Sequence, residues 1–233
     1  MSKGIHSAAS AMQVHARRVE IIADNLANLS TTAFKRRTTS VGAFEHKLDP
    51  HKDHALRTTA RQDFDQGVIV TNGEPYNLAL DGKGFFAVEG KDGELYTRNG
   101  NFRLDEAGEI RTAENLLVAW ESKSGSIDPA GAAVSIGRDG SVKQGSEPLG
   151  RLRVVDFDEP QRLHMVEGGY FRAPEELVPG PALAEVKQSA LESSNSNAVR
   201  EVIELVEAQR AFELASSVLS QHDQSYRRLT RQI

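Results

Sequence analysis

The sequence has no cysteine, which excludes disulfides, thiolate-bound zinc and thiol catalysis together and is compatible with any redox compartment. No stretch approaches the roughly 20 consecutive apolar residues of a membrane span. The N-terminus also lacks the unbroken apolar region of a secretory signal peptide. The chain therefore reads as soluble, either cytoplasmic or exported by a route without a cleaved leader. Aromatic residues make up only 6% of it, with one tryptophan, which argues against an exposed aromatic binding platform. There is no Gly-x-Ser-x-Gly elbow, His-Glu-x-x-His helix or phosphate loop. Nothing positions a nucleophile or an acid–base pair, and the expectation is a protein that is not an enzyme.

Helix breakers are missing from both ends. All 8 prolines, and every glycine except Gly4, fall between residues 42 and 181. Within the breaker-free ends, Ile5, Met12, Val19 and Leu26 recur at heptad spacing, as do Leu205, Phe212, Leu219, Tyr226 and Ile233. This is the spacing of a coiled-coil seam. Ala8, His15, Ile22 and Leu29 lie between the seam positions at one end, and Ala208, Ala215, His222 and Leu229 at the other, so each stripe is continuous but thin. Neither helix has a core of its own. The stripes can pair with each other, pair with other copies, or pack on the middle of the chain.

The middle reads as β structure. Short apolar runs at 78–80, 85–88 and 95–97 are separated by Gly82, Gly84, Asp92-Gly93 and Asn99-Gly100. Asp-Gly and Asn-Gly accept the positive φ of tight hairpins, and with Ala107-Gly108 next they predict an antiparallel meander. Further strand candidates are 109–111, 116–120, 134–136, 141–143 and 152–157, which together suggest a small sandwich or open barrel. Trp120 in such a strand is expected in the core. The fold class is therefore α+β: N- and C-terminal helices forming a coiled coil, with a central, mostly antiparallel β domain. Residues 1–40 are read as the N-terminal helix and its motif, 41–75 as an extended linker, 76–182 as the β domain and 183–233 as the C-terminal helix.

The candidate sites dissolve on inspection. Gly82-Lys83-Gly84-Phe85-Phe86-Ala87 formally matches a dinucleotide fingerprint, but a strand follows where a helix N-terminus is needed to hold a pyrophosphate. A glycine-assisted hairpin is expected. His46, His51 and His54 with Asp49 and Asp53 lie in a polar stretch broken by Pro50, where no regular element would fix a metal. Asp156, Asp158 and Glu159 cluster only in sequence, which does not set the carboxylate separation that a glycosidase needs. No cofactor and no metal are expected. The net charge of −5 hides a basic end, with Lys3, Arg17, Arg18, Lys35, Arg36 and Arg37 against Glu20 and Asp24 in the first 40 residues. Those cations are split between a helix and the loop after it, which predicts a solvated face complementary to acidic neighbours and no nucleic-acid partner.

The segment Asp24-Asn25-Leu26-Ala27-Asn28-Leu29-Ser30-Thr31-Thr32-Ala33-Phe34-Lys35 resembles the N-terminal signature of the bacterial flagellar basal-body rod and hook family. The family usually has glycine where this chain has Ala33, at a sharp turn expected before Phe34 and Lys35. Asn25 and Asn28 suit a helix end, because asparagine tolerates left-handed backbone and caps free backbone groups. Two further matches follow in the family's order. One runs from Leu80 to Arg103, with Gly84-Phe85-Phe86 and Tyr96-Thr97-Arg98-Asn99-Gly100-Asn101-Phe102; the other runs from Ser194-Asn195 through Glu207-Ala208-Gln209-Arg210-Ala211-Phe212-Glu213.

The resemblance implies a structural axial subunit of the basal-body rod. In this family the terminal helices pair into the inner coiled-coil layer of a hollow tube, and the β domain faces outward. About 22 residues of helix give roughly 33 Å, and a growing tube needs heterologous contacts that do not close into a small ring. The implied assembly interface comprises Ile5, Met12, Val19, Asn25, Leu26, Asn28, Phe34, Leu205, Arg210, Phe212, Leu219 and Tyr226. The implied partners are other rod and hook proteins, further copies of the chain and the flagellar type III export apparatus; the implied location is the periplasmic rod. Chain length and the segments at 150–157 and 168–172 resemble proximal-rod members, with the distal rod second. Outside the family, the alternative is a β-domain binding module displayed on a coiled-coil stalk.

Overall fold

The computed structural model describes residues 2–44 and 55–230, with side chains at 8–40, 59–222 and 224. His46, His51 and His54 lie outside the described residues, as do the side chains of Ile5 and Tyr226. The chain divides into two compact units. The first combines Met1–Leu29, Arg36–Asp63 and Ser196–Ile233; the second combines Ser30–Lys35 and Phe64–Asn195.

The first unit contains α1 (Ser2–Ala27), the antiparallel hairpin of β1 (Arg37–Phe44) and β2 (Ala55–Gln62), and α2 (Ala198–Thr230). As expected from the missing breakers, both ends are helical. The Asn197 side chain caps α2 by accepting from the Arg200 N–H at 3.1 Å, satisfying one of the free donors of the first turn. At the end of α1 the Asn28 amide donates to the Asp24 carbonyl at 2.8 Å. α1 packs on both α2 and the hairpin. With two neighbours its buried stripe is broad: Ala8, Val14, Ile21, Ile22 and Asn25 are buried, while the heptad residues Met12, Val19 and Leu26 are half-buried. On α2, Glu201 and Ala208 are buried and Leu205, Phe212 and Leu219 half-buried. The hairpin begins at the end of the segment read as the N-terminal motif and runs into the one read as a linker, where polar strands rich in threonine and arginine carry no alternating apolar signal.

The second unit holds the β strands that run in chain order as β3 (Ile69–Thr71), β4 (Leu78–Asp81), β5 (Phe85–Gly90), β6 (Gly93–Thr97), β7 (Phe102–Leu104), β8 (Ile110–Thr112), β9 (Leu117–Val118) and β10 (Trp120–Lys123). They continue as β11 (Val134–Ile136), β12 (Ser141–Gln144), β13 (Glu147–Leu152), β14 (Val154–Asp156), β15 (His164–Met165), β16 (Phe171–Arg172), β17 (Gly180–Pro181), β18 (Glu185–Gln188) and β19 (Ala190–Glu192). The largest sheet has the order β15-β16-β6-β5-β9-β8-β7, with β14 pairing both β5 and β17. A second sheet runs β10-β13-β12-β11, and two small ladders join β18 to β4 and β19 to β3. All these pairings are antiparallel. One apolar cluster includes Leu78, Leu80, Phe86, Val88, Phe102, Ile110 and Leu152; another, rich in phenylalanine, includes Phe85, Tyr96, Phe157 and Phe171, with Phe64 against them.

Three expectations need correction. The Asn99-Gly100 dipeptide does not close a hairpin, because β6 and β7 lie far apart in the sheet. Gly100 is needed for close approach instead: a Cβ there would run into the Leu78 carbonyl oxygen. Residues 185–192, expected to be helical, form strands whose buried residues Val186, Ala190 and Glu192 alternate with less buried ones. Trp120 is half-buried at the margin of the first cluster, with the Lys123 ammonium 5.6 Å from its ring centre. The Gly82-Lys83-Gly84 segment is the turn between β4 and β5, with both glycines at positive φ. Among the described residues, no helix is long and apolar enough to cross a membrane.

Candidate functional site

Several of the most deeply buried polar residues, Asn25, Lys35, Arg98 and Glu201, come from the three segments with the family resemblance, and Arg36 and Glu192 lie within two residues of them. In the second unit, Glu192 ends β19 with 0% of its surface exposed. Its Oε1 accepts from the Lys35 ammonium at 2.7 Å and the Gly67 N–H at 2.8 Å, and its Oε2 accepts from Arg98 Nε at 2.9 Å. Lys35 also donates to the Asp65 carbonyl at 2.7 Å. Arg98 donates to the carbonyls of Gly82 and Gly84, each at 2.8 Å. The glycine turn thus presents carbonyl oxygens to a guanidinium, the opposite polarity from a phosphate cradle. One carboxylate between two buried cations, with carbonyl dipoles taking the remaining donors, satisfies each charge where an unpaired one would be costly.

The turn that brings Lys35 there passes through Ala33, whose φ is +56°. That left-handed conformation costs an L-residue about 1 kcal/mol or more relative to glycine. It is held by the Ala33 N–H, which donates to the Glu192 carbonyl at 2.7 Å, and by the Phe34 carbonyl, which accepts from the Asn195 N–H at 3.3 Å. The sharp turn expected of the family signature therefore forms without the usual glycine.

A matching cluster lies inside the first unit. The Asn25 amide pairs with the Arg37 backbone through two 2.9 Å hydrogen bonds and also donates to Glu201 at 3.1 Å. Arg36 Nε donates to Glu201, and Arg36 Nη2 donates to both oxygens of Glu204 at 2.8 Å. Burial alone would lower the Arg36 pKa, but the hydrogen bonds and charges of Glu201 and Glu204 outweigh it and raise the pKa above its ordinary value. Asn28 acts as the expected helix-end residue. Asn25 does not: it sits inside α1 and splices the helix to β1. Likewise Lys35 and Arg36, read as part of a solvated face, are buried against carboxylates 157 and 165 positions away.

Of the remaining assembly residues, Phe34 is half-buried and Arg210 is exposed on α2. Sequence reasoning missed Arg98, Glu192, Glu201 and Glu204. The available signal was that Arg98, Glu201 and Glu204 lie in matched segments and that Glu192 lies two residues before the third. Among the described residues, no group of three or more histidine or carboxylate side chains is placed to hold a metal ion. The deep polar groups hold chain segments to one another, so the class that fold and site define is a structural protein with helical ends.

Comparison with known proteins agrees. The model of the flagella basal body rod protein matches residues 5–35, that of the flagellar hook protein FlgE/F/G D1 domain matches 79–144, and that of the flagellar basal body rod FlgEFG protein C-terminal region matches 187–232. The flagellar basal-body rod protein FlgF of Caulobacter vibrioides is 30% identical, over 94% of this chain and 93% of its own length. FlgF of Escherichia coli is 30% identical over 96% and 95%, and the rod protein FlgG of Agrobacterium fabrum is 28% identical over 93% and 94%. The chain belongs to the flagellar basal-body rod protein family.

Proposed function

We propose that the protein is a structural axial subunit of the bacterial flagellar basal-body rod, in the proximal segment, and that it polymerises through its terminal helices with further copies and with other rod and hook proteins. The carrying observation is on α2. Val199, Val202, Ile203, Val206, Leu214 and Val218 are exposed. At 100° per residue they lie on the side of the helix away from buried Glu201 and Ala208. A helix with one apolar stripe on α1 and a second facing solvent suits a subunit that gains neighbours on assembly. Arg210 falls within the second stripe, while Leu205, Phe212 and Leu219 belong to the first.

In this reading the helices extend their pairing into coiled-coil contacts between copies, and the subunit reaches its site through the flagellar type III export apparatus. Proximal placement rests on the resemblance of the segments at 150–157 and 168–172, and a distal-rod subunit is the second reading. A β domain displayed for binding would need an exposed aromatic surface, and aromatics make up only 6% of the chain.

Substituting Leu214→Asp or Val218→Asp tests the proposal. Both side chains face solvent, so the β unit should keep its melting transition, while the variant is lost from purified basal bodies. Normal incorporation of both variants would refute assembly through this face.

A further inference from the structure

The first unit contains a cavity of about 270 Å³ between α1 and β1. Val14, Ile21 and Ile22 supply aliphatic lining, while Arg18, Arg37 and His15 supply cationic or polar lining. The acid lining it is Glu204, which is already engaged by Arg36 at 2.8 Å and by Arg200 at 3.1 Å. Arg37 has a single 3.4 Å contact with Asp24. Arg18 forms no ion pair among the described residues, and His15 Nδ1 is buried without a hydrogen-bond partner. Among the described residues this leaves an unpaired guanidinium and an unsatisfied imidazole beside aliphatic side chains, an arrangement complementary to a carboxylate carried among aliphatic side chains.

α2 displays such a group on its outer face. Glu207 is exposed, and helical spacing places Ile203 one turn before it and Leu214 two turns after it on the same side. Glu213 has aliphatic neighbours only on its N-terminal side, at Val206 and Val202. We infer that this cavity is the socket for Glu207 of a second copy of the chain, with the carboxylate on Arg18 and the flanking Ile203 and Leu214 packed at the cavity mouth. The contact joins two different surfaces, so it is heterologous and can repeat along a filament. This inference rests on the axial-subunit reading and specifies one of its contacts.

The absence of native cysteine makes the test clean. Two differently tagged copies, one carrying Arg18→Cys and the other Glu207→Cys, are expressed together in a strain lacking the native gene, and basal bodies are purified and mildly oxidised. The expected result is a disulfide-linked dimer containing both tags, with residues 18 and 207 in the linked peptides. In a separate arm, Arg18→Glu should lower incorporation by about tenfold or more, and adding Glu207→Arg should restore it. Basal bodies that contain both cysteine variants without the link would overturn the socket while leaving the axial reading intact. So would a link from residue 18 to another rod protein, or normal incorporation of Arg18→Glu. Absence of the wild-type chain from basal bodies would overturn the axial reading, and the socket with it.

Discussion

Glu192 accepts a hydrogen bond from the Lys35 ammonium at 2.7 Å, and neither side chain is more than 1% exposed, although 157 positions separate them. The pair joins the turn after α1 to the last β strand before α2. Arg98, from the centre of the β unit, shares the same carboxylate at 2.9 Å. Segments remote in sequence are thus fixed by one buried charge.

Replacing that charge should be costly. Glu192→Gln leaves two buried cations without their counter-ion, and a loss of about 3–5 kcal/mol is expected for breaking such a cluster from one side. Urea unfolding of the purified variant measures it. A loss below about 1 kcal/mol would mean that the cluster relaxes or fills with water.

Ala33 gives a prediction of the opposite sign. Glycine removes the strain of the +56° φ but increases the freedom of the unfolded chain, so Ala33→Gly should raise stability by a net ~0.5–1 kcal/mol. The denaturation midpoint should rise with an unchanged slope. A fall in the midpoint would show that the alanine methyl contributes more by packing than its backbone costs.

Gly100 should tolerate nothing larger. Its Cβ position is occupied by the Leu78 backbone, so Gly100→Ala must displace β4 from its neighbours. A loss of about 3 kcal/mol or more, or failure to fold, is expected. Gly73→Ala makes a useful comparison. Open space surrounds that Cβ position, so its cost should be limited to the strain of a positive φ, about 1 kcal/mol.

The tyrosines set the alkaline limit. Burial, together with hydrogen bonds to Glu94 and Glu114 respectively, pushes the pKa values of Tyr96 and Tyr170 well above the ordinary phenol value of 10. The folded state therefore retains these protons after the unfolded chain has begun to release them. Their contribution is fully present below pH 10 and is lost as pH rises from there toward the folded pKa values. Tyr96→Phe and Tyr170→Phe should each flatten the loss of stability above pH 10. An unchanged pH profile would contradict the assignment.

The helical ends were legible because breakers avoid them, and the strands around Phe85, Tyr96 and Val134 because apolar runs alternate with glycine turns. The hairpin of β1 and β2 was not, since segments such as Arg37-Thr38-Thr39-Ser40 carry no apolar face. Sheet order was also hidden: Asn99-Gly100 is a strong local hairpin signal, and only the close approach of Leu78 explains its other use. The ion clusters were the least visible. Lys35 and Arg36 look like surface charges until Glu192, Glu201 and Glu204 arrive from the far end of the chain, and nothing local announces a partner more than 150 positions away. Heptad spacing located the helical stripes but not their centres, because α1 packs on a hairpin as well as on α2.

The most direct test of the account is quantitative mass spectrometry of hook–basal bodies purified from the source bacterium, with this chain measured against the other axial proteins. The account predicts that it is present at the low abundance of a short proximal segment. High abundance would move it to the distal rod, and absence from the purified structures would contradict its role as an axial subunit.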